Sequence, residues 1–192
     1  MTGARRAGFI LALALAAFGC SQLAAAAWIH AKAVVAQHLI ASAWRQARNG
    51  GTARRPWPWA DMRPVARLTV PGRGIDLFVL DAANPRALAF GPAHVGGTAG
   101  PATWGNTVIV AHRDTHFAFL KSVALDDEID VEAAHGARAR YRVSRIEVVD
   151  RGESRVLDPA DQAQLTLITC FPFDAVRPGT PLRYVVVAER VG

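Results

Sequence analysis

The pattern of apolar and polar positions changes character twice along the chain. From Ala7 to Ile29 it reads AGFILALALAAFGCSQLAAAAWI, without a charged residue. About 20 apolar residues at 1.5 Å rise suffice to cross a hydrocarbon core of roughly 30 Å. From Trp28 to Arg48 there is neither Gly nor Pro, and Ala31, Val34, Val35, His38, Leu39, Ser42 and Ala43 recur at helical spacing. The pattern predicts one long helix, a transmembrane anchor with a helical stem over 7–48, behind a short tail at 1–6. Asn49-Gly50-Gly51 ends it, as Gly after the last periodic residue commonly does. The prolines of Arg54-Arg55-Pro56-Trp57-Pro58-Trp59 exclude regular helix, so 49–62 reads as an extended connector. Trp57 and Trp59 fit a membrane interface and a domain surface equally well.

From Pro64 onward the period shortens. Val65–Val70, Gly72-Arg73-Gly74 and Ile75–Leu80 read as a hairpin. Asn106–Ala111 is a near-continuous apolar run, as a buried strand requires. Glu128–Glu132 and Ala139–Val149 alternate, and Leu165–Thr169 and Leu182–Ala188 complete the set. A short helical piece fits around Phe117–Val123. Residues 63–192 therefore predict an all-β domain, a closed or nearly closed barrel.

Charge refines this picture. The chain of 192 residues carries a net charge of +6. Residues 1–55 hold Arg5, Arg6, Lys32, Arg45, Arg48, Arg54 and Arg55 and no acid, whereas all 16 acids lie beyond. The basicity belongs to the stem, where it suits anionic headgroups. The near-neutral β domain offers no footprint for a phosphate backbone, which excludes nucleic acid as a partner. Small residues at Ala24–Ala27 would also fit a cleaved signal, but the apolar run is longer than a signal core. Cys20 is poorly placed for lipidation, because Phe18 is bulky and the expected Leu is missing. The short tail and the extracytoplasmic domain agree with an N-in, C-out orientation, although charge counting alone does not decide it.

A lone cysteine in a secreted domain is a candidate reactive thiol. Cys20 sits in the apolar run, so Cys170 has no evident partner. Cys170 ends the strand Thr166-Leu167-Ile168-Thr169 and precedes Phe171-Pro172-Phe173. Its position alone does not separate a buried core cysteine from a nucleophile. A nucleophile needs a populated thiolate, hence a nearby base or cation. His112, after the apolar strand, is a candidate proton shuttle, and Arg183, opening the last strand, a candidate fixed charge. Strand ends on a rigid sheet are sound places for such groups.

Taken together these residues resemble the sortase family. Thr166-Leu167-Ile168-Thr169-Cys170 matches its TLxTC signature, and Ala111-His112 and Leu182-Arg183 match its His and Arg in order and approximate spacing. The likeness runs from about Val65 to Glu189. More narrowly the chain resembles the sortases of Gram-negative bacteria, in Trp28-Ile29-His30-Ala31-Lys32, Pro56-Trp57-Pro58-Trp59-Ala60-Asp61, His112-Arg113-Asp114-Thr115-His116-Phe117 and Cys170-Phe171-Pro172-Phe173-Asp174. The resemblance implies an eight-stranded β-barrel behind an inner-membrane anchor, with the catalytic domain on the periplasmic side. It implies a cysteine transpeptidase that cleaves an LPXTG-like sorting signal between Thr and Gly and passes the acyl group to an amine acceptor. Cys170 would be the nucleophile, His112 the general acid and base, Arg183 the oxyanion stabiliser, and Thr169 a substrate contact. No cofactor is expected. Three other readings compete: a zinc site of His112, His116 and Cys170, a cysteine peptidase that mainly hydrolyses, and a non-enzymatic membrane-anchored β module with an inert Cys170.

Overall fold

The alternation from Pro64 onward folds into strands, and the strands close on themselves. The computed structural model describes residues 2–50, 54–177 and 179–191; the side chains of 2–8, 10, 12, 14, 25, 26, 29 and 30 lie outside that description, as does Gly51 of the expected helix stop. The strands are β1 (Pro64–Val70), β2 (Ile75–Leu80), β3 (Ala93–His94), β4 (Asn106–Val110), β5 (Glu128–Ala133), β6 (Arg138–Asp150), β7 (Gln164–Phe171) and β8 (Leu182–Arg190). They form a closed barrel in the order β1-β2-β3-β4-β7-β8-β6-β5. The eight-stranded barrel expected from the resemblance is therefore present. The strand absent from the residue pattern is β3, whose two residues pair parallel to β2 and antiparallel to β4 and so complete the wall.

Side-chain alternation sorts the residues of β4, β7 and β8 onto two faces. Ile109, Leu165, Leu167, Val186 and Ala188 point inward and join the main core with Leu68 and Tyr141. Val108, Ile168, Val185 and Val187 point outward and form a separate apolar cluster on the barrel's outer wall. That outer stripe is unusual for a barrel surface, where polar residues normally face water. It marks a wall that something covers, and Val95 and Val156 cover part of it. Buried Asn106 organises this region: its Nδ2 donates to the Val156 and Asp158 carbonyls at 3.1 and 3.0 Å, and its Oδ1 accepts from Thr166 at 2.7 Å.

Strand β6 serves two partners, pairing β5 through its first half and β8 through its second, with a register shift between Val143 and Arg145. The loop expected as a helix around Phe117–Val123 is a 3-10 turn over Ala118–Ser122. In the turn before β5, Asp126 and Glu128 are exposed, whereas Asp127 accepts from the Arg73 guanidinium at 2.6 Å and from the Ala124 amide at 2.9 Å.

The N-terminal helix, α1, runs over Thr2–Arg48, and Asn49 closes it onto the Arg45 carbonyl. Gly50 follows at φ +85°, a left-handed conformation that suits glycine. The chain divides into two compact units, Met1–His38 and Leu39–Gly192. In the second, the last turns of α1 lie on the barrel: Ile40 packs with Ala60, Met62 and Leu80, and Trp44 meets Phe78 at 6.0 Å. In the first, Phe9, Leu11, Leu13, Leu15, Phe18 and Leu23 are all exposed, and Lys32 stands 4.9 Å over the Trp28 ring. Among the described residues no helix is long and apolar enough to cross a membrane. The transmembrane anchor expected from the sequence is thus unsupported here, part of its apolar run lying outside the described side chains. The two connector tryptophans differ: Trp57 packs edge-on against Phe90 at 5.3 Å, whereas Trp59 is 82% exposed.

Candidate active site

Three neighbouring strands bring the sequence-predicted groups to one end of the barrel. Cys170 and Arg183 are cross-strand partners in the antiparallel β7–β8 register. On the other side of β7, Val110 stands opposite Ile168 in the parallel β4–β7 register, and the Ala111 amide donates to the Ile168 carbonyl at 3.3 Å. β4 ends at Val110, so His112 follows two residues beyond the strand that neighbours the Cys170 strand. Cys170 and Arg183 thus stand side by side on β7 and β8, about 4.8 Å apart as neighbouring strands are, with His112 just past the end of the adjacent β4. Cys170 and Arg183 continue the outward parity of Ile168 and Val185, so this pair lies on the outer wall, at the end of the apolar stripe. Both cysteines are free; Cys170 is half-buried, His112 exposed and Arg183 half-buried.

Thr169 has the opposite parity. Its side chain is 2% exposed inside the barrel, and its hydroxyl donates to the Ala111 carbonyl at 2.8 Å. That bond ties the residue before Cys170 to the residue before His112. Its hydroxyl is committed to this tie rather than presented outward.

Arg183 is fixed by its own loop. Its Nη1 donates to the Thr180 and Leu182 carbonyls, both at 2.8 Å. Beyond His112 the chain doubles back, with the Phe117 amide donating to the His112 carbonyl at 3.0 Å and the Phe117 ring fully buried. This turn brings His116 near His112. Burial first, and the neighbouring His112 second, hold the His116 imidazole below its ordinary pKa. No three His, Cys, Asp or Glu among the described residues stand close enough to hold a metal ion. The zinc reading of His112, His116 and Cys170 has no ligand set to rest on.

Two features escaped the residue pattern. Arg113 donates to the β7–β8 connection, to Thr180 Oγ1 at 3.1 Å, the Ala175 carbonyl at 2.6 Å and the Arg177 carbonyl at 3.2 Å. An Arg in the polar run after a strand reads as solvated, and only its place beside His112 hinted otherwise. The second feature is an aromatic group of Phe171, Phe173 and Tyr184, with ring centroids 5.1–6.2 Å apart. It lines a cavity of about 260 Å³ with Lys121 and Asp174. A larger cavity, of about 640 Å³, lies on β1, β5 and β6 and offers no nucleophile. Its charged walls are already paired, Arg67 with Asp76, Arg140 with Asp130 and Arg138 with Glu132.

A family model of the sortase domain matches residues 68–191, well over half of the chain. The chain belongs to the sortase family. This sortase is 25% identical to the Sortase D of Bacillus subtilis over 125 residues, 65% of its own length and 62% of that relative's. It therefore spans less than two thirds of the relative it matches. Sortase A from Corynebacterium diphtheriae superposes with a TM-score of 0.60 at 25% identity, covering 83% of this chain and 85% of that one. Sortase C-1 from Actinomyces oris gives 0.58 at 26% identity, covering 80% and 98%. A Clostridium perfringens Sortase D5 transpeptidase shares the fold, with a TM-score of 0.66 at 19% identity over 83% and 99%.

Proposed function

We propose that this sortase is a cysteine transpeptidase with Cys170 as nucleophile. The observation that supports the reading is the pairing of Cys170 with Arg183 across β7 and β8, beside the strand β4 that ends two residues before His112. In this mechanism His112 takes the thiol proton as the sulfur attacks, the activation by an adjacent base that a cysteine nucleophile uses. The Cys170 sulfur attacks the carbonyl carbon of a Thr–Gly bond in an LPXTG-like sorting signal. Arg183 donates to the oxyanion as the tetrahedral centre forms. The C–N bond breaks, His112 gives its proton to the departing amine, and a thioacyl-enzyme remains. An incoming amine then loses a proton to His112, attacks the thioester carbonyl and releases Cys170. General acid–base help of this kind contributes about 10²–10⁴-fold, and one oxyanion donor about 10²–10³-fold. For Thr169 the interior bond to Ala111 favours a positioning role over substrate contact.

Placement at the inner membrane, N-in with the barrel on the periplasmic side, completes the reading, as does membership of the Gram-negative class. The chargeless run Ala7–Ile29 and the exposed apolar side chains from Phe9 to Leu23 support the anchor, since a helix apolar all round suits lipid.

The decisive test uses a quenched LPXTG-like peptide with and without an added amine. Cleavage with mass-detectable thioacylation at Cys170, lost in Cys170→Ala and diverted to amide product by the amine, is expected. Undiminished cleavage by Cys170→Ala would sink the thiol mechanism. Product that is carboxylate alone at every amine concentration would make the enzyme a hydrolase. For the anchor, carbonate-washed membranes should retain the full chain, and release into the wash would exclude it.

A further inference from the structure

The connection between β7 and β8 joins the strand of Cys170 to the strand of Arg183, yet it has little packing of its own. From Asp174 to Leu182 no described residue is buried, and Val176 at its tip is 98% exposed. Such a segment keeps one conformation only if something outside it does the holding. The Arg151 amide holds its far end, donating to the Pro181 carbonyl at 2.6 Å. The tip is held by Arg113, whose guanidinium donates to Ala175, Arg177 and Thr180 at once.

Thr180 is the junction of two bonds. Its Oγ1 accepts from Arg113 Nη1 at 3.1 Å, while its carbonyl accepts from Arg183 Nη1 at 2.8 Å. A continuous path thus runs from His112 through its neighbour Arg113, across to Thr180, on to Arg183, and by strand register back to Cys170. The fork reaches them from two nitrogens, Nη1 to Thr180 and Nη2 to Ala175 and Arg177, whereas a lysine ammonium presents its donors from one point on a flexible stem.

We propose that Arg113 is a positioning residue that sets the Arg183 guanidinium by clamping the β7–β8 connection. It touches neither substrate nor the reacting atoms. Its effect reaches the reaction through Arg183, and this inference rests on the oxyanion role given to Arg183 above. Displacing a donor from the transition-state oxygen lowers kcat, whereas substrate held elsewhere in the groove binds much as before.

The experiment is a double-mutant cycle on the full chain, read as acylation of Cys170 by a sorting peptide. Arg113→Ala should lower kcat by about ten-fold or more, with KM changed less than about three-fold and the pH profile unshifted. Arg113→Lys should not restore it. In an Arg183→Ala background, Arg113→Ala should cause no further loss, because residues that act in one chain are non-additive. Losses that multiply, rescue by Lys, or a change confined to KM would each overturn the proposal. Amide hydrogen exchange over residues 174–182 tests the clamp without any substrate. Faster exchange there in Arg113→Ala is expected, and unchanged exchange removes the clamp. Should exchange rise while Arg183→Ala acylates normally, the oxyanion reading has failed rather than the clamp, and the link from clamp to catalysis falls with it.

Discussion

At the scale of single residues, the site depends on groups that never touch substrate. The Thr169 hydroxyl is buried against the Ala111 carbonyl. Thr169→Val keeps the shape and removes the donor, leaving a buried carbonyl without its partner. We expect a loss of about 1–3 kcal/mol in urea unfolding, and a fall in acylation rate larger than stability alone explains. Equal activity would show that the tie between β4 and β7 does not set the site's geometry. His116 adds a pH effect. Burial and then His112 depress its pKa, so the folded chain resists protonating it. The unfolded chain takes up that proton near pH ~6.5. Below that pH the unfolded state binds more protons, and stability falls as pH drops toward the lower folded value. His116→Gln should flatten the acid side of the curve of urea midpoint against pH. An unchanged slope would mean that His116 does not carry this acid sensitivity.

At the scale of elements, much was legible and the exceptions have physical causes. The alternation of Ala139–Val149 and the apolar run Asn106–Ala111 declared their strands, because one or both of their faces are buried. Strand β3 was illegible because two residues hold no period; it forms since β2 and β4 leave a gap that Ala93 and His94 bridge. Cys170 and His112 could be singled out near strand ends, but that their strands are neighbours could not, since it rests on a parallel pairing between distant segments. Nothing in the residue pattern singles out Arg113, because its three acceptors lie more than 60 residues away in the β7–β8 connection. Asn106 likewise reads as the start of a strand, yet it holds the Val156–Asp158 segment against the outer wall. Asn106→Ala removes at once the donor to two carbonyls and the acceptor of the Thr166 hydroxyl. A destabilisation of about 2–3 kcal/mol in chemical denaturation is expected. A value within ±0.5 kcal/mol would place this segment outside the cooperative unit.

At the scale of the molecule, the long helix has two environments. Its apolar first part is exposed, whereas Ile40, Ala43, Trp44 and Ala47 are buried in the barrel unit. A chain beginning at Leu39 should melt like the full protein. One beginning at Asn49 forfeits Ile40 and Trp44, each of which as a truncation costs about 2–5 kcal/mol. Matching denaturation curves for the two would show that these turns do not stabilise the barrel.

The pairing of β4 with β7 has one more consequence. Residues 111 and 169 are 58 apart in sequence, and 113 and 180 are 67 apart, yet each pair meets at the site. Contacts this distant form late, after the costs of closing long loops have been met. Until then Cys170 has neither Arg183 nor the end of β4 held beside it, and the groups of the site are not assembled. On the roles proposed here, the newly made chain travels as an unarmed precursor. Completing the barrel is then itself the activation step.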